Sequence, residues 1–189
     1  MQFLVDLWLP IVLAGVGVFV ASSVIHMALP IHKSDFSQLP NEPRVLEALR
    51  TQGVGPGQYM FPKPASMKDC SSPEMLEKFK RGPVGSLIVL PTGVPNIGKS
   101  LLQWFVFSLV VGVFVAYIAW HQLAPGAPYL AVFRLTATVA FLAYGFSHMT
   151  DAIWKGVSWT TTLKFVLDGL IYGVVTGGVF GWQWPAVGG

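Results

Sequence analysis

The chain has 189 residues, 53% hydrophobic and only 11% charged, with a formal net charge of +3. Soluble domains carry about 25% charged residues, so this composition excludes an ordinary water-soluble fold and points to the bilayer. A single cysteine, Cys70, excludes an intrachain disulfide, and no Cys/His spacing of the structural zinc type is present.

The first apolar run, Trp8 to Leu29, is long enough to cross about 30 Å of hydrocarbon. A secretory signal peptide opens on a positive segment, whereas the residues before Trp8 carry Asp6 and no Lys or Arg. The run is therefore read as a retained helix, ended by Pro30, with Ala14, Gly17 and Ala21 available for close packing. Residues 31–99 differ in composition: they hold nine of the twelve Lys and Arg residues and nine of the fourteen prolines. Two short helices are expected there, Glu42 to Arg50 behind an Asn41 cap and Pro73 to Lys80 behind a Ser72 cap. Two strands, Gln58 to Phe61 and Ser86 to Leu90, are expected to pair.

The second membrane run is Leu101 to Leu123, and the Pro/Gly link Ala124 to Pro128 returns the third, Tyr129 to Met149, antiparallel beside it. A connector, Thr150 to Thr162, leads into the fourth run, Leu163 to Trp184. Here glycine recurs every fourth residue, at Gly169, Gly173, Gly177 and Gly181, which places all four on one stripe. Each such glycine costs a soluble helix about 1 kcal/mol relative to alanine, but in lipid the stripe admits a neighbouring backbone. The expected fold is thus an all-α integral membrane protein of four transmembrane helices. It divides into helix 1 (1–30), a small cytoplasmic α/β insert (31–99) and helices 2–4 (100–189).

Lys33, Lys99, Lys155 and Lys164 flank helix ends on one side only, so the positive-inside rule predicts a multi-pass protein of the cell inner membrane with both termini outside. All seven tryptophans fall near the expected span boundaries, as an aromatic belt would.

Gly93-Val94-Pro95-Asn96-Ile97-Gly98-Lys99-Ser100 matches the phosphate-loop pattern. The helix after it is apolar all round, and the chain has no room for the parallel sheet such a loop needs. The motif is read as a turn into the membrane with Lys99 as its anchor, and neither nucleotide nor nucleic acid is expected as a partner.

A polar set gathers at the same membrane interface. His26 lies near the end of helix one, His148 closes helix three with Asp151 three residues on, and Asp168 lies about one turn inside helix four. Three readings compete: His26 and His148 as axial ligands of a haem, the set including Asp151 and Asp168 as a metal site or proton relay, or interface ion pairs, Asp151 with His148 or Lys155 and Asp168 with Lys164. The third needs the fewest assumptions.

The polar and aromatic exit Leu29-Pro30-Ile31-His32-Lys33-Ser34-Asp35-Phe36, together with Asp168-Gly169-Leu170-Ile171-Tyr172-Gly173 and Phe180-Gly181-Trp182, resembles uncharacterised small bacterial inner-membrane proteins across the whole chain. That resemblance implies no activity. The expectation is a non-enzymatic structural or accessory subunit without a cofactor, packing with lipid and with other membrane subunits or itself. The alternative is a haem- or metal-binding redox subunit built on the His/Asp set.

Overall fold

The computed structural model describes residues 2–187 and divides them into two compact units. One takes the chain up to Phe36 and again from Asn96; the other is Ser37–Pro95. The first holds four helices long and apolar enough to cross a membrane.

In that unit a short helix α1 (Gln2–Asp6) precedes α2 (Trp8–Ser23). α2 runs into a π-helical turn, Val24–Ala28, closed by the Leu29 N–H on the Val24 carbonyl at 3.1 Å. Ser22 and Ser23 both donate to the Phe19 carbonyl, a local bonding that competes with the regular ladder. Pro30 forbids continuation, so Leu29 is extended and Pro30–His32 forms a single 3-10 turn.

The second long helix, α5 (Ile97–Gln122), starts four residues earlier than the hydropathy alone suggests, because Asn96 caps it: the Asn96 Oδ1 accepts from the Lys99 N–H at 2.9 Å. The third is interrupted: α6 (Tyr129–Tyr144) gives way at Gly145 to a 3-10 turn, Phe146–His148, then to α7 (Met149–Lys155). The fourth, α8 (Trp159–Trp182), is capped by Ser158, which accepts from the Thr161 N–H at 3.1 Å.

The glycine stripe of α8 lies on α6 of the same chain. A Cβ at Gly169 would overlap the Gly145 backbone; at Gly173 it would come within 2.8 Å of the Ala137 carbonyl oxygen, and at Gly177 within 3.0 Å of that of Phe133. Gly181 faces the Tyr129 ring. The helix that the stripe was expected to admit is thus supplied internally. α2 crosses α5 in the same manner, with Gly112 under Ile11 and Gly15 under Leu109. Trp104, expected in the interfacial belt, instead turns into the bundle, where its Nε1–H donates to Ser22 Oγ at 2.8 Å.

The Ser37–Pro95 unit contains α3 (Glu42–Thr51), β1 (Gly57–Phe61), α4 (Pro73–Arg81) and β2 (Gly85–Val89). The strands pair antiparallel, Gly57 opposite Val89 and Phe61 opposite Gly85. Ser72 caps α4 as expected, accepting from the Met75 N–H at 3.2 Å. Asn41 does not cap α3 with its side chain; it adopts a left-handed conformation, φ 51°, which asparagine tolerates better than most residues.

The only sheet among the described residues is therefore a two-stranded antiparallel ribbon. Within the phosphate-loop match the N–H groups of Lys99 and Ser100 already have Asn96 as their acceptor, through its side-chain and main-chain oxygens. Lys99→Ala should accordingly leave nucleotide binding at the background of the parent protein. Saturable binding of ATP or GTP that disappears in this variant would contradict it.

Candidate metal centre

The site is assembled where α2 ends and α8 passes. The π-helical turn carries His26, and the 3-10 turn beyond Pro30 folds His32 back beneath it, so that the two imidazoles stack with centroids 4.3 Å apart and planes 7° apart. Both face Asp168 on α8, which is 3% exposed. Because α8 begins at Trp159, Asp168 lies about 14 Å along the axis at 1.5 Å per residue.

The hydrogen bonds around the two rings settle which nitrogen is free. His26 Nδ1 lies 3.1 Å from the Ser22 carbonyl oxygen, which can only accept, so Nδ1 carries the proton. His32 Nδ1 lies 2.6 Å from Asp35 Oδ2, again an acceptor. In the neutral rings this leaves both Nε2 atoms with lone pairs. His32 Nε2 is 2.9 Å from Asp168 Oδ2 and His26 Nε2 is 3.8 Å from the same oxygen. Despite the 2.9 Å approach, neither His32 Nε2 nor Asp168 Oδ2 makes a hydrogen bond of acceptable direction, and both atoms are buried. Three electron-pair donors thus converge, all within 4.8 Å of one another, with His32 Nε2 and Asp168 Oδ2 buried and His26 Nε2 on the more open side.

A second layer holds the first in place. Asp35, whose side chain is 3% exposed, accepts from His32 through one oxygen and from Lys164 Nζ at 2.7 Å through the other. Burial alone would raise the Asp35 carboxyl, but the hydrogen bonds from Lys164 and His32 outweigh it and hold the group below the usual carboxylate range. Lys164 also donates to Ser34 Oγ at 2.9 Å. Lys164 was expected to pair with Asp168 one turn along the same helix; it pairs with Asp35 instead, which leaves Asp168 to the histidines. These ties also explain why the bundle unit extends to Phe36 and not merely to Pro30.

The structure brings His26 and Asp168 together, leaves His148 on the wall of a cleft that they also line, and pairs Asp151 outside the set. His148 stacks on Phe165, centroids 5.0 Å apart, and is not among the three converging donors. Asp151 makes an ion pair with Lys155 at 2.6 Å, the ordinary spacing on one helix face. His32 and Asp35 were missed. Their three-residue spacing after Pro30 was the available signal, since a proline-closed turn returns such a pair toward the helix it left. No protein-family model, curated protein or solved structure matches the chain, so no residue role is carried over from a relative.

Proposed function

We propose that this is a multi-pass membrane protein that binds one divalent transition-metal ion through His26 Nε2, His32 Nε2 and Asp168 Oδ2. The observation that carries the reading is the convergence of three donor atoms, two of them buried without a hydrogen-bond partner, whose histidines have both committed Nδ1–H to another acceptor. That is the outer-shell arrangement of metal-bound histidine, Asp35 serving His32 and the Ser22 carbonyl serving His26. Two nitrogens and one carboxylate suit zinc(II) with an open fourth position, or iron(II) in a two-histidine, one-carboxylate site. The second choice keeps the redox reading of the His/Asp set. Haem fits poorly, because axial imidazoles must point at the iron from opposite sides, whereas His26 and His32 stack in parallel with both Nε2 atoms directed at one carboxylate oxygen, and His148, expected as the second axial ligand, stacks on Phe165.

A purely structural subunit is the competing reading, and its principal motive has weakened: the glycine stripe finds its partner helix inside the chain. Metal analysis of protein purified in detergent, after equilibration with iron(II) or zinc(II) and gel filtration, separates the two. One equivalent bound in the parent and none in His32→Ala is the expected result. An equal metal content in both would refute the site.

The charge distribution further supports a cytoplasmic position for residues 37–95 and for the mouth of the metal site, in an inner membrane with both termini outside. In a Cys70→Ser background, Met60→Cys should resist a membrane-impermeant thiol reagent added to intact cells, and Ala124→Cys should react. The opposite pattern would reverse the orientation.

A further inference from the structure

Beside the metal centre, between α2, α5, α6 and α8, lies a cleft of about 580 Å³, within the size range of small-molecule sites. We infer that it is the binding site for a membrane quinone: a neutral planar ring bearing carbonyl oxygens, on an apolar tail. The cleft shares His26 and Asp168 with the metal centre, but the aromatic walls that define it stand with or without the ion.

Trp104, Phe107, Tyr144 and Tyr172 form one continuous surface, with neighbouring ring centroids 5.5 to 5.9 Å apart. Such a surface receives a flat ring by offset or edge contact. Three of these residues carry a hydrogen-bond donor, and two of the donors are occupied. The Trp104 N–H is held by Ser22 Oγ, and the Tyr144 hydroxyl points to the Ser108 carbonyl at 3.4 Å. The third, the hydroxyl of Tyr172, has no partner although the residue is only 4% exposed. A buried donor left unpaired is unfavourable, and a ligand carbonyl oxygen would satisfy it once a small side-chain movement opens the hydroxyl, closed off here, to the cleft.

The charge of the lining decides the class of head group. Among the described residues the cleft is lined by the Asp168 carboxylate, by the imidazoles of His26 and His148, and by no Lys or Arg. In the metal-free protein a fatty-acid carboxylate or a lipid phosphate would meet a like charge and no fixed cation. A quinone carbonyl is neutral and accepts. Met27 and Ile97, 80% and 70% exposed, border the cleft and connect it with the apolar outer surface, which gives the tail its way into lipid.

The test uses the full chain in phosphatidylcholine nanodiscs, both chelator-treated and metal-loaded, with a photoreactive azidoquinone as probe and decylubiquinone as competitor. Labelling should map to the α5, α6 and α8 segments named above and be saturable in both forms. Tyr172→Phe, which removes one oxygen without changing shape, should raise the half-saturating concentration by about fivefold, the change one neutral hydrogen bond supplies. Ala143→Trp, at an exposed position that faces the cleft, should raise it by more than about tenfold by filling the space. Both variants should keep the parent's metal content. Labelling that is unsaturable, that survives Ala143→Trp, or that oleate competes for as well as decylubiquinone does in the chelator-treated form would overturn the inference. A Tyr172→Phe protein with unchanged half-saturation would overturn the assignment of a carbonyl head. Saturable labelling of a protein that proves unable to bind metal would refute the metal centre and leave the quinone site standing.

Discussion

Asp168→Asn should weaken metal binding by at least about 1,000-fold, well beyond the roughly 10–100-fold that accompanies loss of an outer-shell partner. Asparagine keeps the shape of the side chain but removes the only anionic ligand among the three donors, and the two neutral imidazoles cannot neutralise a divalent ion alone. Asp35→Asn gives the comparison. It leaves all three ligands in place and removes only the carboxylate that orients His32, so its loss should fall in the 10–100-fold range. Isothermal titration in detergent measures both. Thermal melting adds a second, independent readout. A cation at 100 times its dissociation constant should stabilise the parent by about 2.7 kcal/mol and leave Asp168→Asn unmoved. A drop in melting temperature for Asp168→Asn that is the same with and without chelator would instead assign this carboxylate to a structural ion pair, and the metal centre would be refuted.

Gly169→Ala, a single added methyl, should destabilise the bundle by more than the about 1–3 kcal/mol usual for overpacking. The methyl has no room: it overlaps the backbone of Gly145, where α6 breaks, and a backbone cannot step aside as a flexible side chain does. Movement there would also displace Asp168, the preceding residue. Gly178→Ala on the same helix is the control. Its methyl meets only the Tyr129 hydroxyl oxygen at 3.9 Å, so it should lie within about 0.5 kcal/mol of the parent. Denaturant titration of the two proteins in the same detergent checks the difference. Similar stabilities for both would mean that α6 and α8 do not pack at this distance.

Periodicity, hydropathy and glycine spacing by themselves determined four long apolar helices, a small mixed insert with one hairpin-like strand pair, and the close-packing face of α8. These are local properties: the apolar length of a run, the residues that can cap or break it, and which positions share a stripe are all set by neighbours a few places apart. His26 and Asp168 were legible as candidates for the same reason, since an ionisable residue within an apolar run stands out. Which groups meet was decided only in three dimensions. The π-helical turn and the bend at Pro30 bring His32 beneath His26, and Lys164 reaches back across 129 residues to Asp35 instead of along its own helix to Asp168. The break of α6 at Gly145 sends His148 against Phe165 and leaves Asp151 to Lys155. A side chain's partner depends on which helix ends share a depth and which faces turn toward each other, and those relations join residues too far apart in the chain for any local pattern to record.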